Sequence, residues 1–286
     1  MMLSGKAKLA GVLGWPVAHS LSPRLHGFWL DRHGIDGAYL PLAVRPEDFL
    51  EVVRALPKAG FRGANVTVPH KEAAFALCRD HGQLTERARR VGSVNTLVFA
   101  ENGSVTGDTT DGYGFIENLR QGAADDFWMR GRTVVLGAGG AARSVVAGLL
   151  EQPGITDLVL ANRTLERAEA VAADLADPRV RVCTLDEAAG FIQACALVVN
   201  TTSVGLKGDP ALPVPLDALD PAALVTDIVY NPLITPFLAA AQARGNPVVD
   251  GLGMLLHQAR PGFAAWFGVD PQVDEALRDH VLAGLA

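Results

Sequence analysis

Short apolar runs alternate with amphipathic runs along most of this chain, and the alternation predicts its architecture. Runs such as "KLAGVLG", "ALVVN" and "LVTDIVY" are rich in β-branched residues and leucine and are typical of buried strands. Segments such as 48–56 and 165–175 carry apolar residues three or four positions apart, which indicates helices. Strands that alternate with helices predict a parallel sheet covered on both faces, and therefore an α/β fold.

Composition narrows the class of protein. Apolar residues make up 49% of the 286 residues and charged residues 20%, so a large core is expected and disorder is not. A net charge of −6 argues against a nucleic-acid partner, and no apolar run reaches the length of a membrane span. Three cysteines outside any C-x-x-C pair, and an N-terminus resembling a strand more than a secretory signal, predict a cytoplasmic location. The seven histidines lack zinc-site spacing, so no metal is expected.

A glycine motif follows the strand at 133–136. Gly137, Gly139 and Ala142 fit the pattern G-x-G-x-x-G/A between a strand and a helix. In such motifs the glycines give a tight turn and let a pyrophosphate approach the helix N-terminus. The segment therefore predicts a dinucleotide site, and the alternative is a glycine-rich turn that binds nothing.

The end of the next strand predicts which dinucleotide binds. An NAD site usually has an acidic residue there for the ribose hydroxyl. This chain instead has Asn162, Arg163 and Thr164, with Arg167 one helical turn later. Because arginine offers a bidentate fork for phosphate oxygens, the pattern favours the 2′-phosphate of NADP. The alternative is that both arginines belong to a solvated helix face.

The stretch "NVTVPHK", residues 65–71, is unusual for a strand end. Pro69 stops the strand, and polar side chains and Lys71 follow at once. One interpretation is a helix that begins near Pro69 and carries a solvated lysine. The other is that the lysine belongs to a catalytic site.

Nine short segments together carry a family resemblance. They are "SLSP" (20–23), "NVTVPHK" (65–71), "SVNTL" (93–97), "GDTTDGYGF" (107–115), "GAGGAAR" (137–143), "NRT" (162–164), "NTTSVG" (200–205), "DIVYNP" (227–232) and "GLGMLLHQA" (251–259). In this order and over nearly the whole chain, the sequence resembles the shikimate dehydrogenases. Small departures are Gly27, Thr109 and Thr201, where the family more often has Asn, Asn and Ala.

The resemblance implies an activity and a set of site residues. The activity is reversible reduction of 3-dehydroshikimate by NADPH, with Lys71 and Asp111 as the catalytic dyad. It also implies nine substrate-binding residues, which are Lys71 and Asp111 themselves together with Ser20, Ser22, Asn65, Thr67, Asn95, Tyr230 and Gln258. With the motif above, it implies cofactor contacts at Gly137, Ala138, Gly139, Gly140, Ala141, Asn162, Arg163, Thr164, Arg167, Thr201, Thr202, Ser203, Ile228, Gly251 and Met254. By themselves, Ser22 and Asp111 would fit helix caps equally well.

The expected architecture has two domains. Residues 1–122 should form an α/β substrate domain and 123–250 a Rossmann-like, doubly wound NADP domain, with helices of 251–286 returning to the first domain. The site should then lie in the cleft, and the protein should be a monomer or homodimer. Alternatives are a quinate/shikimate dehydrogenase with broader substrate or NAD use, a non-catalytic ligand sensor on the same fold, and an amino-substituted shikimate analogue as substrate.

Overall fold

Strands and helices alternate along the chain, as the apolar pattern predicts. The computed structural model describes residues 3–205, 212 and 214–285. Its strands are β1 (Lys8–Gly14), β2 (Gly37–Ala43), β3 (Phe61–Val66), β4 (Gln83–Leu84), β5 (Thr96–Phe99), β6 (Val105–Asp108), β7 (Gly131–Leu136), β8 (Ile155–Asn162), β9 (Val180–Thr184), β10 (Cys195–Asn200), β11 (Leu224–Asp227) and β12 (Val248–Val249).

The helices connect these strands. They are α1 (Ser22–Arg32), α2 (Phe49–Ala55), α3 (Lys71–His81), α4 (Glu86–Val91), α5 (Asp111–Gly122), α6 (Gly140–Leu150), α7 (Leu165–Leu175), α8 (Ala189–Ile192), α9 (Pro236–Ala243), α10 (Leu252–Phe267) and α11 (Glu275–Leu282). Among the described residues, none of these helices combines the length and the apolar character that crossing a membrane requires.

The fold divides into two units. The first contains the residues up to Thr110 and those from Gln258 onward, and the second is Asp111–His257. The domains expected from the sequence divide instead after residues 122 and 250, and that finer division stays a prediction. Each unit is built around one sheet.

The sheet of the first unit is mixed. Its strand order is β2-β1-β3-β5-β6-β4, with β1 parallel to both β2 and β3. The β5–β6 hairpin, which the Asn102-Gly103 pair between two apolar runs predicts, pairs antiparallel with β3 and so reverses the direction of the sheet. Its core includes the buried side chains of Leu13, Phe49, Val66 and Leu97.

The sheet of the second unit is entirely parallel. Its order is β12-β11-β10-β7-β8-β9, which is the doubly wound order with the first βαβ unit at the centre. Every residue of β10 is buried, as expected for a central strand covered by helices on both faces. The Rossmann-like organisation predicted from the glycine motif is therefore confirmed.

Local differences from the predicted elements have physical causes. The helices expected over residues 251–286 are α10 and α11, and α10 ends at Phe267, where Gly268 adopts a φ of +82° that ends helices well. The short β4 and α4 were not predicted, because two or six residues carry little periodicity. Leu277 and Val281, which lie four positions apart on α11, are both buried.

Candidate active site

Strand ends gather the expected substrate residues of the first unit at one edge of its sheet. β1 ends at Gly14 and β3 at Val66, so the segments with Ser20, Ser22, Thr67 and Lys71 follow the carboxyl ends of parallel strands. β5 runs antiparallel to β3 and pairs its first residue, Thr96, with Asn65. Asn95, which precedes Thr96, therefore also lies at this edge of the sheet. In α/β sheets, ligands bind beyond this edge.

A connected cluster of hydrogen bonds centres on Asn95, which is 2% exposed. Its Nδ2 donates to Thr110 Oγ1 and to Gln258 Oε1, each at 3.1 Å. Its Oδ1 accepts from the Thr96 hydroxyl at 2.9 Å and from the Thr110 backbone N–H at 2.9 Å. Asn95 is therefore held in one orientation, and it joins the expected residue Gln258 to the edge of the sheet.

Asn65 belongs to the same cluster. Its Nδ2 donates to the Asn95 carbonyl at 3.3 Å and to Thr96 Oγ1 at 3.2 Å, and its Oδ1 accepts from the Tyr39 hydroxyl at 2.6 Å. Thr67 lies next to this cluster in sequence, and its methyl group would lie 2.6 Å from a Cβ added to Gly14. Glycine at position 14 thus lets the two strand ends approach closely.

Ser20 and Ser22 lie at the start of α1. The helix begins at Ser22 and its N-cap is Leu21, with no side-chain cap, so the helix-cap interpretation of Ser22 is wrong. The backbone N–H of Ser22 donates to Ser20 Oγ at 3.3 Å. The oxygen of Ser20 therefore acts as an acceptor within the protein, which leaves its hydroxyl proton to donate elsewhere.

Lys71 and Asp111 both stand at helix starts, and they lie in different units. Lys71 is half-buried at the first position of α3, and the preceding His70 anchors that start. His70 Nε2 donates to the Val44 carbonyl at 2.7 Å, and its ring stacks on Phe49. Asp111 is 6% exposed and is the first residue of α5, which makes it an acidic residue of the first turn. Their pairing as a dyad stays a prediction.

The glycine motif forms a tight turn at the end of β7. Gly137 has a φ of +103°, and a Cβ there would lie 2.9 Å from Thr201 Oγ1 and 2.8 Å from the Thr202 methyl. In contrast, a Cβ on Gly139 or Gly140 would meet nothing within 4 Å. Open space therefore lies beside the N-terminus of α6, where unpaired N–H groups favour an anion.

Threonines after β10 brace this turn. The Thr201 hydroxyl donates to the carbonyls of Leu136 at 2.8 Å and Gly137 at 3.2 Å. The Thr202 hydroxyl donates to Asn200 Oδ1 at 2.8 Å. Both hydroxyl protons are thus used within the protein, while the side chain of the neighbouring Ser203 is exposed.

The end of β8 presents two arginines beside the turn. Asn162 links the two segments, because its Oδ1 accepts from the Ala138 N–H at 3.1 Å and its Nδ2 donates to the Thr164 carbonyl at 2.7 Å. Arg163 and Arg167 are exposed, and neither guanidinium has an ion pair or hydrogen bond within the described ranges. Two unpaired guanidiniums next to the open turn at Gly139 and Gly140 fit a 2′-phosphorylated dinucleotide.

The remaining expected residues of the second unit follow β11 and β12. Asp227 accepts from Asn200 Nδ2 at 3.0 Å, from the Val229 N–H at 2.9 Å and from the Thr235 hydroxyl at 2.8 Å. Burial raises the pKa of Asp227, and these three donors oppose the rise. The network fixes the loop that carries Tyr230, which is half-buried.

Close packing explains the glycine that follows β12. A Cβ on Gly251 would lie 2.6 Å from the carbonyl oxygens of Asp227 and Ile228. Ile228 and Met254 are half-buried.

All fifteen residues expected to contact the cofactor lie in the second unit, and seven of the nine expected to bind substrate lie in the first.

Sequence comparisons decide the family. Residues 12–97 match the model of the shikimate dehydrogenase substrate binding domain, and residues 122–206 match that of shikimate / quinate 5-dehydrogenase. The chain is 59% identical to the shikimate dehydrogenase (NADP(+)) of Paramagnetospirillum magneticum over 98% of this chain and 100% of that protein. The corresponding protein of Rhodospirillum rubrum is 58% identical over 98% of this chain and 99% of its own length. The chain belongs to the shikimate dehydrogenase family.

Solved structures of shikimate dehydrogenases agree with the fold. The enzyme of Thermus thermophilus, in complex with NADP(H) and shikimate, superposes with a TM-score of 0.84 at 36% identity, over 98% of this chain and 100% of that one. A shikimate dehydrogenase from Listeria monocytogenes, in complex with shikimate and NAD, gives a TM-score of 0.87 at 28% identity, over 100% of this chain and 99% of that one. The two-domain α/β architecture expected from the sequence is confirmed.

The candidate site also contains side chains that sequence reasoning missed. Tyr39, Thr96 and Thr110 hydrogen-bond directly to Asn65 or Asn95. The sequence held a weak signal for Tyr39, because a tyrosine within an apolar strand pattern usually needs a partner for its hydroxyl when it is buried. Nothing in its local pattern, however, indicates that this partner is Asn65.

Proposed function

We propose that this chain is an NADP-dependent shikimate dehydrogenase, which reduces 3-dehydroshikimate reversibly to shikimate. The full-length identity to relatives named shikimate dehydrogenase (NADP(+)) carries the proposal. The hydrogen-bonded cluster of Asn65, Asn95 and Gln258 supports it, because a polyhydroxylated ring needs several fixed polar partners.

Substrate binding would divide between two sets of side chains. The hydroxyls of Ser20 and Ser22, helped by Tyr230, would donate to the substrate carboxylate. The ring hydroxyls would contact the polar residues Asn65, Thr67, Asn95, Asp111 and Gln258. The half-buried or buried state of each of these residues supports the assignment, because partial exclusion of water strengthens every such hydrogen bond.

Proton transfer would belong to Lys71. Bound NADPH supplies the hydride that reduces the ketone carbon. The Nζ of Lys71 would donate a proton to the ketone oxygen as negative charge develops there, and its positive charge would stabilise that oxygen. In the reverse direction the same amine accepts the proton from the hydroxyl. The Asp111 carboxylate would orient the ammonium group, so the two residues act as a coupled pair.

Preference for NADP over NAD would come from the second unit. The open turn at Gly139 and Gly140 fits a pyrophosphate, and the unpaired Arg163 and Arg167, with Thr164, fit a 2′-phosphate. No acidic residue stands at 162–164 to bind a free ribose hydroxyl. The donor set of the chain therefore matches the larger and more anionic cofactor.

The setting of the reaction is also a proposal. We expect a cytoplasmic monomer or homodimer that acts on a small molecule, without nucleic-acid or membrane partners. Burial of the three cysteine side chains as free thiols supports a reducing compartment.

An absorbance assay at 340 nm tests the function directly. The four pairings of shikimate or quinate with NADP or NAD are compared by kcat/KM. We expect the pairing of shikimate with NADP to be the most efficient. A higher kcat/KM with quinate or with NAD would instead favour a quinate/shikimate dehydrogenase of broader use. Shikimate binding measured by calorimetry without turnover would favour the ligand-sensor alternative.

A further inference from the structure

The hydroxyl of Tyr39 lies between two residues that are expected to bind substrate. Tyr39 is 6% exposed on β2, and its hydroxyl donates to Asn65 Oδ1 at 2.6 Å. The Ser22 side chain lies near the same phenol oxygen. One side chain thus connects the start of α1 to the end of β3.

The bonds of Asn65 select one orientation of its amide. Its Nδ2 faces two acceptors, the Asn95 carbonyl and Thr96 Oγ1, while its Oδ1 faces the Tyr39 donor. If the amide rotated by half a turn, its oxygen would face the Asn95 carbonyl, and two acceptors would oppose each other. The amide atoms that Asn65 presents to a ligand are therefore defined by its surroundings, and the short Tyr39 bond anchors the oxygen end.

An aromatic stack fixes the position of the Tyr39 hydroxyl. The Tyr39 ring lies parallel to that of His26, with centroids 3.9 Å apart and an interplanar angle of 7°. The Trp266 ring lies 6.0 Å from it on another side. Burial raises the pKa of Tyr39 well above its ordinary value, so the phenol is protonated at neutral pH. Because these contacts involve the ring, phenylalanine would preserve them.

We infer that Tyr39 is a positioning residue for substrate binding, whose hydroxyl holds Asn65 in the orientation that grips the substrate ring. The inference rests on the proposed assignment of Asn65 to a ring hydroxyl. Tyr39 acts through Asn65 and not on the reacting atoms, so its effect should appear in the KM for shikimate and not in kcat.

A double-mutant cycle of Tyr39→Phe and Asn65→Ala tests the inference. For Tyr39→Phe we expect the KM for shikimate to rise about 2- to 12-fold, the worth of one neutral hydrogen bond. The kcat and the KM for NADP should change by less than about twofold. In the Asn65→Ala background, Tyr39→Phe should add almost nothing to the KM for shikimate, because the residue it positions is gone.

A matched control separates positioning from general stability. Lys8 Nζ donates to the Phe267 carbonyl at 3.0 Å in the same unit, at the opposite end of β1 from Ser20. Lys8→Met removes one hydrogen bond and should leave the KM for shikimate unchanged. Thermal unfolding of each variant reports the cost in stability independently of the kinetics.

The possible outcomes distinguish a failure of this inference from a failure of the assignment of Asn65 to substrate binding. If Tyr39→Phe raises the KM equally with and without Asn65, the positioning role is overturned while the role of Asn65 stands. If Tyr39→Phe lowers the melting temperature and leaves the KM for shikimate unchanged, its hydroxyl is structural and the inference fails. If Asn65→Ala itself leaves that KM unchanged, the assignment of Asn65 and the inference fall together.

Discussion

Among single residues, His26 shows how burial of one side chain can make the stability of the protein depend on pH. It is completely buried between the rings of Tyr39 and Phe263, and this burial lowers the pKa of His26 to about 3. Asn65 opposes the shift weakly, since neither ring nitrogen has a partner at hydrogen-bond geometry among the described residues. His26 is therefore neutral in the native protein, whereas in the unfolded chain it binds a proton below about pH 6.5.

His26→Phe should make the protein less sensitive to acid. Between pH 6.5 and 3 the unfolded wild-type chain binds one more proton at this site than the native state, so stability falls as the pH falls. The variant should lose this contribution, which reduces the slope of unfolding free energy against pH by about 1.4 kcal/mol per pH unit. Urea denaturation over this interval measures the slope. The exposed His19 provides a control, since His19→Asn should leave the slope unchanged.

Lys71→Ala should reduce turnover and not substrate affinity. Removing the proposed proton donor should lower kcat by about 10²- to 10⁴-fold, the usual range for a general acid. Because Asn65, Asn95 and the serines remain, the KM for shikimate should change much less. Steady-state kinetics at saturating NADP measures both constants. Lys58→Ala removes an exposed lysine of the same unit and should change neither, and near-normal turnover in Lys71→Ala would exclude Lys71 from the mechanism.

For the secondary-structure elements, the junction of β8 and α7 should determine the choice of cofactor. Arg163→Ala combined with Arg167→Ala removes both unpaired guanidiniums. We expect kcat/KM for NADP to fall by about 10²- to 10⁴-fold, as two charge-assisted hydrogen bonds are lost, with little change for NAD. Assays with each cofactor at fixed shikimate measure the ratio. Arg130→Ala, at an exposed arginine of the same unit, should leave the ratio unchanged, and an equal loss with both cofactors would show that the pair has no role in selecting the 2′-phosphate.

Elements were predictable from the sequence where a local pattern specified them. The strand, glycine turn and helix from β7 to α6 follow from adjacent residues, and so does the hairpin of β5 and β6. The mutual placement of Asn65, Asn95 and Gln258 does not, because their bonds join residues 30 and 163 positions apart. Only the family resemblance grouped these residues. The resemblance did not include Tyr39, whose hydroxyl contacts Asn65 and, by our inference, affects the substrate only through Asn65.

For the whole molecule, the cysteines should report unfolding. Burial raises the pKa of Cys78 and Cys183 to about 11 and that of Cys195 to about 12. The thiolate is the reactive form, so at neutral pH these side chains are both inaccessible and protonated. The native protein should therefore react very slowly with a thiol reagent such as 5,5′-dithiobis(2-nitrobenzoate), and all three thiols should react at once in denaturant. Rapid reaction of the native protein would contradict their burial.

NADP should slow this reaction at two of the three thiols. Cys183 and Cys195 lie in the unit that carries the proposed cofactor residues, so a reagent reaches them only after that unit opens. A ligand at about 100 times its Kd stabilises the bound state by about 2.7 kcal/mol, and labelling that depends on opening should slow by about 100-fold. Mass spectrometry of peptides after timed alkylation measures each cysteine separately. NAD at the same concentration should protect them less, because the arginine pair at β8 and α7 has no 2′-phosphate to bind. Equal protection by both cofactors would contradict the proposed NADP preference. Because this experiment measures binding and not catalysis, its result is independent of Lys71.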